Sequence, residues 1–66
     1  MLSIEPGKIR ELRLVLGYTQ ERFAHLIGCS FATVNKWENG RVKPLDVYIR
    51  VLESIAKRNN IKISEL

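Results

Sequence analysis

The chain is poor in the residues that carry catalytic, metal or disulfide chemistry. It holds one cysteine and one histidine among 66 residues. A lone cysteine forms no internal disulfide, so a reducing, cytoplasmic setting is the default expectation. With one histidine, no nucleophile–base pairing and no phosphate-cradling glycine loop, the pattern argues against an enzyme and against a bound cofactor. His25 and Cys29 stand four apart, a ligand spacing on a helix, but a zinc site needs third and fourth donors. The expectation is no metal, with His25 solvated and Cys29 acting as a small hydrophobe. No apolar run approaches the ~20 residues that cross a bilayer, and no signal-peptide pattern opens the chain. Low-complexity stretches and internal repeats are absent too.

What is there describes one small folded domain over residues 1–66. Hydrophobic residues make up 45% and charged residues 27%, an ordinary balance for a globular chain. So short a chain has room for only a small core, which favours short helices and local contacts. Eleven Lys and Arg against seven Asp and Glu leave a net charge of +4, which suits a polyanionic partner.

Residues 19–44 organise the rest. Thr19 is placed to cap a helix, with Phe23, Leu26 and Ile27 at helical spacing behind it. Gly28 supplies the left-handed conformation that ends a helix. Ser30 can cap a second helix by accepting from the amide of Thr33, with Val34 and Trp37 on its apolar edge and Gly40 closing it. Two short helices about a glycine-containing turn make a helix-turn-helix over residues 19–40.

These residues carry a resemblance. Gln20, Phe23, Ala24, Ile27, Gly28, Cys29 and Ser30, then Val34, Trp37, Glu38, Asn39 and Gly40, then Lys43 and Pro44, resemble the Xre family of Cro/CI-type repressors. The pattern extends back through Ile9, Leu12, Arg13 and Leu16. The resemblance implies an all-α, lambda-repressor-like bundle of four or five short helices that binds double-stranded DNA. It also implies that Arg13 pairs with Glu38 inside the fold, the reading preferred here over a phosphate contact.

Outside the motif, residues 1–5 read as a short arm, and Pro6 fits the first turn of a helix bearing Ile9, Leu12 and Leu16 on one face. Pro44 is expected to start a fourth helix. Leu45, Tyr48, Ile49, Leu52, Ile55 and Ala56 form its broad apolar face. Asn59 and Asn60 end it, and Ile61 and Ile63 are expected to fold back on the core before a curtailed fifth turn. The long fourth helix resembles a bacterial subclass that includes many antitoxins. An antitoxin gripping a toxin protein is therefore the alternative to a repressor.

Laying the second motif helix, residues 31–39, in the major groove would present Phe31, Ala32, Asn35 and Lys36 to base edges, with Thr33 on the flank. Phe31 is either buried against the first motif helix or exposed; its place just after the cap, where the family usually carries a polar residue, points to exposure. Asn35 can pair with adenine and Lys36 can reach guanine. By family position the phosphate contacts are Gln20, Asn39, Arg41 and Lys43, with a hydroxyl from Thr19. So small a reader needs two copies on an inverted repeat. Val47 and Val51, off the core stripe, are either the interface of a weak dimer forming mainly on DNA or partly buried under the chain end at Ile61 and Ile63.

Overall fold

The computed structural model describes residues 3–66, and all the regular structure among them is helical. Helix α1 spans Pro6–Leu16, α2 Gln20–Ile27, α3 Phe31–Glu38 and α4 Asp46–Arg58; a 3₁₀ turn at Ile63–Glu65 closes the chain. Residues 1 and 2 of the expected arm lie outside the described residues, and Glu5 is extended.

Local chemistry sets the boundaries. Pro6 opens α1, where its missing amide costs no hydrogen bond, and Gly17 ends it in the left-handed region with φ 79°. Thr19 Oγ1 accepts from the Arg22 amide at 3.1 Å and caps α2. Gly28, at φ 92°, turns the chain, while the Gly28 and Cys29 amides both donate to the Ala24 carbonyl. Ser30 Oγ then accepts from the Thr33 amide at 3.1 Å and starts α3. Residues 28–30 are thus a turn whose two ends are both closed by hydrogen bonds.

The core is filled by Ile9 and Leu12 of α1, Phe23, Ala24 and Ile27 of α2, Val34 and Trp37 of α3, and Ile49, Leu52, Ile55 and Ala56 of α4. Tyr48 lies with its ring 5.3 Å from that of Trp37, and Tyr18 packs 6.2 Å from Phe23. Ile61, Ile63 and Leu66 fold back against this cluster, and the Lys8 ammonium reaches the backbone oxygen of Leu66. The closing turn is thereby tied to α1.

The structure corrects three expectations. Pro44 does not open α4: Leu45 is the extended capping residue, and its carbonyl accepts from the amides of Tyr48 and Ile49. Leu45 therefore leaves the apolar face and stands 68% exposed. Leu26 is likewise 48% exposed. The buried arc of α2 is centred between Phe23, Ala24 and Ile27, and at 3.6 residues per turn Leu26 falls roughly 100° away from it.

Candidate nucleic-acid interface

Glu38, the last residue of α3, turns its carboxylate inward beneath α2. Its side chain is only 3% exposed. Arg13 closes on it as a fork, with Nε 2.7 Å from Oε2 and Nη2 3.0 Å from Oε1. The third guanidinium nitrogen, Nη1, donates to the Tyr18 carbonyl at 2.9 Å, so the cation also fastens the α1–α2 link. Burial alone would raise the Glu38 carboxyl. The hydrogen bonds from Arg13 and Gln20 and the charges of Arg13 and Arg10 outweigh that, and the group is held below the usual carboxylate range. Hydrogen-bonded to Glu38, the Arg13 guanidinium holds its proton more tightly than a free arginine. Arg13 faces inward and is bound on three sides, which removes it from the side chains free to meet a phosphate.

From this buried pair a line of amides runs outward. Gln20 Nε2 donates to Glu38 Oε1 at 3.0 Å, and Asn35 Nδ2 donates to Gln20 Oε1 at 3.2 Å. Asn39 Nδ2 donates in turn to Asn35 Oδ1 at 3.0 Å. Three of the residues singled out from sequence, Gln20, Asn35 and Asn39, are thus one connected structure. Asn35 is half-buried within it.

The remaining positions of α3 divide by exposure. Phe31 is 52% exposed at the first position of the helix, and Ala32 and Lys36, neighbours one turn apart, are exposed as well. Thr33 is half-buried, with its hydroxyl 2.9 Å from Ser30 Oγ. The Thr19 hydroxyl is engaged as the α2 cap but keeps its own proton to donate. Arg41 and Lys43 are exposed in the loop after α3, and the Arg41 amide donates to the Lys36 carbonyl at 3.0 Å. That bond holds the Arg41 backbone against the end of α3.

The model for the helix-turn-helix family matches residues 9–66. The chain belongs to that family, in its Cro/CI or Xre branch. No curated protein is similar enough to the chain to count as a relative. As an Xre-type helix-turn-helix protein it is a DNA-binding regulator, and double-stranded DNA is its partner. No helix among the described residues is long and apolar enough to cross a membrane, and no three of their His, Cys, Asp and Glu side chains cluster as metal ligands would. His25 is exposed and Cys29 half-buried, and burial raises the Cys29 thiol above its ordinary value.

Elsewhere on this Xre-type domain, Val47 is 59% exposed, whereas Val51 is half-buried and packed on the core. With Leu26, Ile55 and Ser54 they line a shallow groove between α2 and α4 whose charged members are Arg50 and Arg58. Sequence reasoning missed two features of the candidate interface: the bridging position of Gln20 and the reach of Arg10's charge to Glu38. Asn35 and Asn39, four apart on one turn, were the only visible hint of the amide line.

Proposed function

We propose that the protein is a transcriptional repressor that reads an inverted repeat by inserting residues 31–39 into the major groove. Phe31, Ala32, Asn35 and Lys36 meet base edges with Thr33 at the flank, and Thr19, Gln20, Asn39, Arg41 and Lys43 hold phosphates. One observation carries the reading: Phe31, Ala32 and Lys36 lie exposed on a helix capped and braced at both ends. An exposed phenylalanine at the start of such a helix is costly in water and suited to a thymine methyl in the groove. Two copies on adjacent half-sites meet through Val47 and Val51. The flanking Arg50 and Arg58 set like charges against each other, which keeps the free protein monomeric and leaves DNA to assemble the pair. A cytoplasmic setting goes with this role.

The same groove supports a second reading. Apolar at Leu26, Val47 and Val51 and lined by two arginines without a carboxylate, it suits an acidic protein partner. An antitoxin that grips a toxin and represses its own promoter would use it in that way.

Selection from random duplex DNA tests the main reading. An enriched palindrome with half-sites about one helical turn apart supports it. Enrichment of no sequence at any salt concentration would remove it.

A further inference from the structure

The line of amides between Glu38 and Asn39 has a direction that chemistry imposes. The Glu38 carboxylate only accepts, so the nitrogen end of Gln20 must face it, as it does at 3.0 Å. Gln20 then has only its oxygen to offer Asn35, which must donate from Nδ2. The Asn35 oxygen is left for Asn39, which donates from its own Nδ2. No link in this chain can be reversed without setting two donors or two acceptors face to face. The order holds however amide oxygen and nitrogen are told apart, because it begins at an ion-paired carboxylate.

Asn35 is therefore held at both ends. One N–H of Nδ2 and one lone pair of Oδ1 remain, the donor on the Gln20 side and the acceptor on the Asn39 side. An adenine edge offers N7 as acceptor and the N6 amine as donor. Inverting the pair puts adenine on the opposite strand, so the N6 donor and the acceptors on either side of it, adenine N7 and thymine O4, meet the reader in reverse order. An asparagine whose amide can turn pairs with the N6 donor and a neighbouring acceptor in both cases, and so tells A·T from T·A poorly. An asparagine locked as this one is satisfies only one of them.

We infer that Gln20, Asn39 and the buried Glu38 are positioning residues that fix the polarity of the Asn35 amide and thereby make it discriminate A·T from T·A at one base pair. This deepens the proposed function and rests on it. Glu38 sets base preference without touching DNA. Its role is transmitted as hydrogen-bond direction, whereas a purely structural role would alter affinity for every sequence alike.

The test measures affinity on the selected site and on the same site with each adenine pair inverted in turn, together with a thermal melt of every variant. The wild-type chain is expected to prefer one orientation by about tenfold at a single position, and Asn35→Ala to abolish that preference. Gln20→Leu frees one end of the amide and also removes a phosphate contact, so affinity for every duplex should fall, while the preference between the two orientations falls to within about twofold. The double variant Gln20→Leu with Asn39→Asp should invert it, because the introduced carboxylate only accepts and draws the Asn35 nitrogen to its own side. Overall affinity falls with the added negative charge, but the ratio between the two orientations is the readout. Should Gln20→Leu fail to fold, Asn39→Asp alone at its exposed site serves, since it too must blunt the preference. A preference unchanged in Gln20→Leu, Asn39→Asp and the double variant would overturn the inference, as would one indifferent to Asn35→Ala. Both outcomes leave sequence-specific binding standing. Absence of any sequence preference in the wild-type chain would instead strike the proposed function itself.

Discussion

Arg13 and Glu38 meet as a two-point fork, 2.7 and 3.0 Å between heavy atoms, with the carboxylate side chain almost wholly enclosed. The pair joins the first helix to the end of the third and is the fixed point from which the amides of the candidate interface are ordered.

Breaking the pair from one side should be more damaging than removing both. Glu38→Gln leaves a buried guanidinium without its counter-charge, a loss of roughly 3–5 kcal/mol for a well-buried pair. In a domain this small such a loss approaches the whole stability. Arg13→Met should cost a comparable amount, and the double variant less than the sum. Thermal melts of the three, read as a double-mutant cycle, check this; small additive effects would mean that the two side chains stabilise nothing jointly.

The same pair sets a pH dependence. The Glu38 carboxyl sits below its unfolded value, so its contribution to stability is fully present above the ordinary glutamate range. It is lost as pH falls through that range and on through the lower folded value. Acid unfolding of the wild type should therefore be steeper below about pH 4.5 than that of Glu38→Gln, since an ordinary glutamate titrates near there. Melts from pH 7 down to pH 2 measure the difference, and superimposable slopes would contradict it.

Base readers and phosphate holders should separate by salt and by sequence. Arg41→Ala is expected to weaken binding to all duplexes and flatten the salt slope by about one unit. Lys36→Ala should cost about 1–3 kcal/mol on the preferred site and relax preference at one base pair. Salt titrations on matched and single-substitution duplexes distinguish the two, and a change in base preference from Arg41→Ala would reverse the assignment.

For the paired state, Val47→Lys is the informative substitution, because Val47 is exposed whereas Val51 also packs on the core. The fold should survive and cooperative binding to a two-half-site duplex should fall towards independent binding. In the free protein, self-association should strengthen as salt screens Arg50 and Arg58. Sedimentation and binding isotherms measure both, and full cooperativity in Val47→Lys would place the contact elsewhere.

The parts of the fold legible in the sequence were those governed by near neighbours. Thr19 and Ser30 cap their helices through amides three residues on, and Gly17 and Gly28 take conformations that glycine reaches without steric cost. Where tertiary geometry decides, the reading faltered. Leu26 and Leu45 fit apolar spacing, yet Leu26 lies off the buried arc of α2 and Leu45 caps α4 from outside the helix. The amide line was invisible because Gln20 and Asn35, fifteen positions apart, meet only through the way α2 and α3 cross. Asn35 and Gln20 could be named as candidates from their positions, but nothing local showed that each holds the other.

The most direct test of the central claim is a titration of the isotopically labelled 66-residue chain with its selected duplex, followed amide by amide by NMR. The account predicts that the largest shifts fall at Thr19 and Gln20, along Phe31 to Lys36, and at Arg41 and Lys43. The outer face of α1 and the groove beside Val47 should move little with a single half-site. Shifts centred on Val47 to Arg58, with α3 undisturbed, would show that another face of the domain meets DNA and would contradict the account.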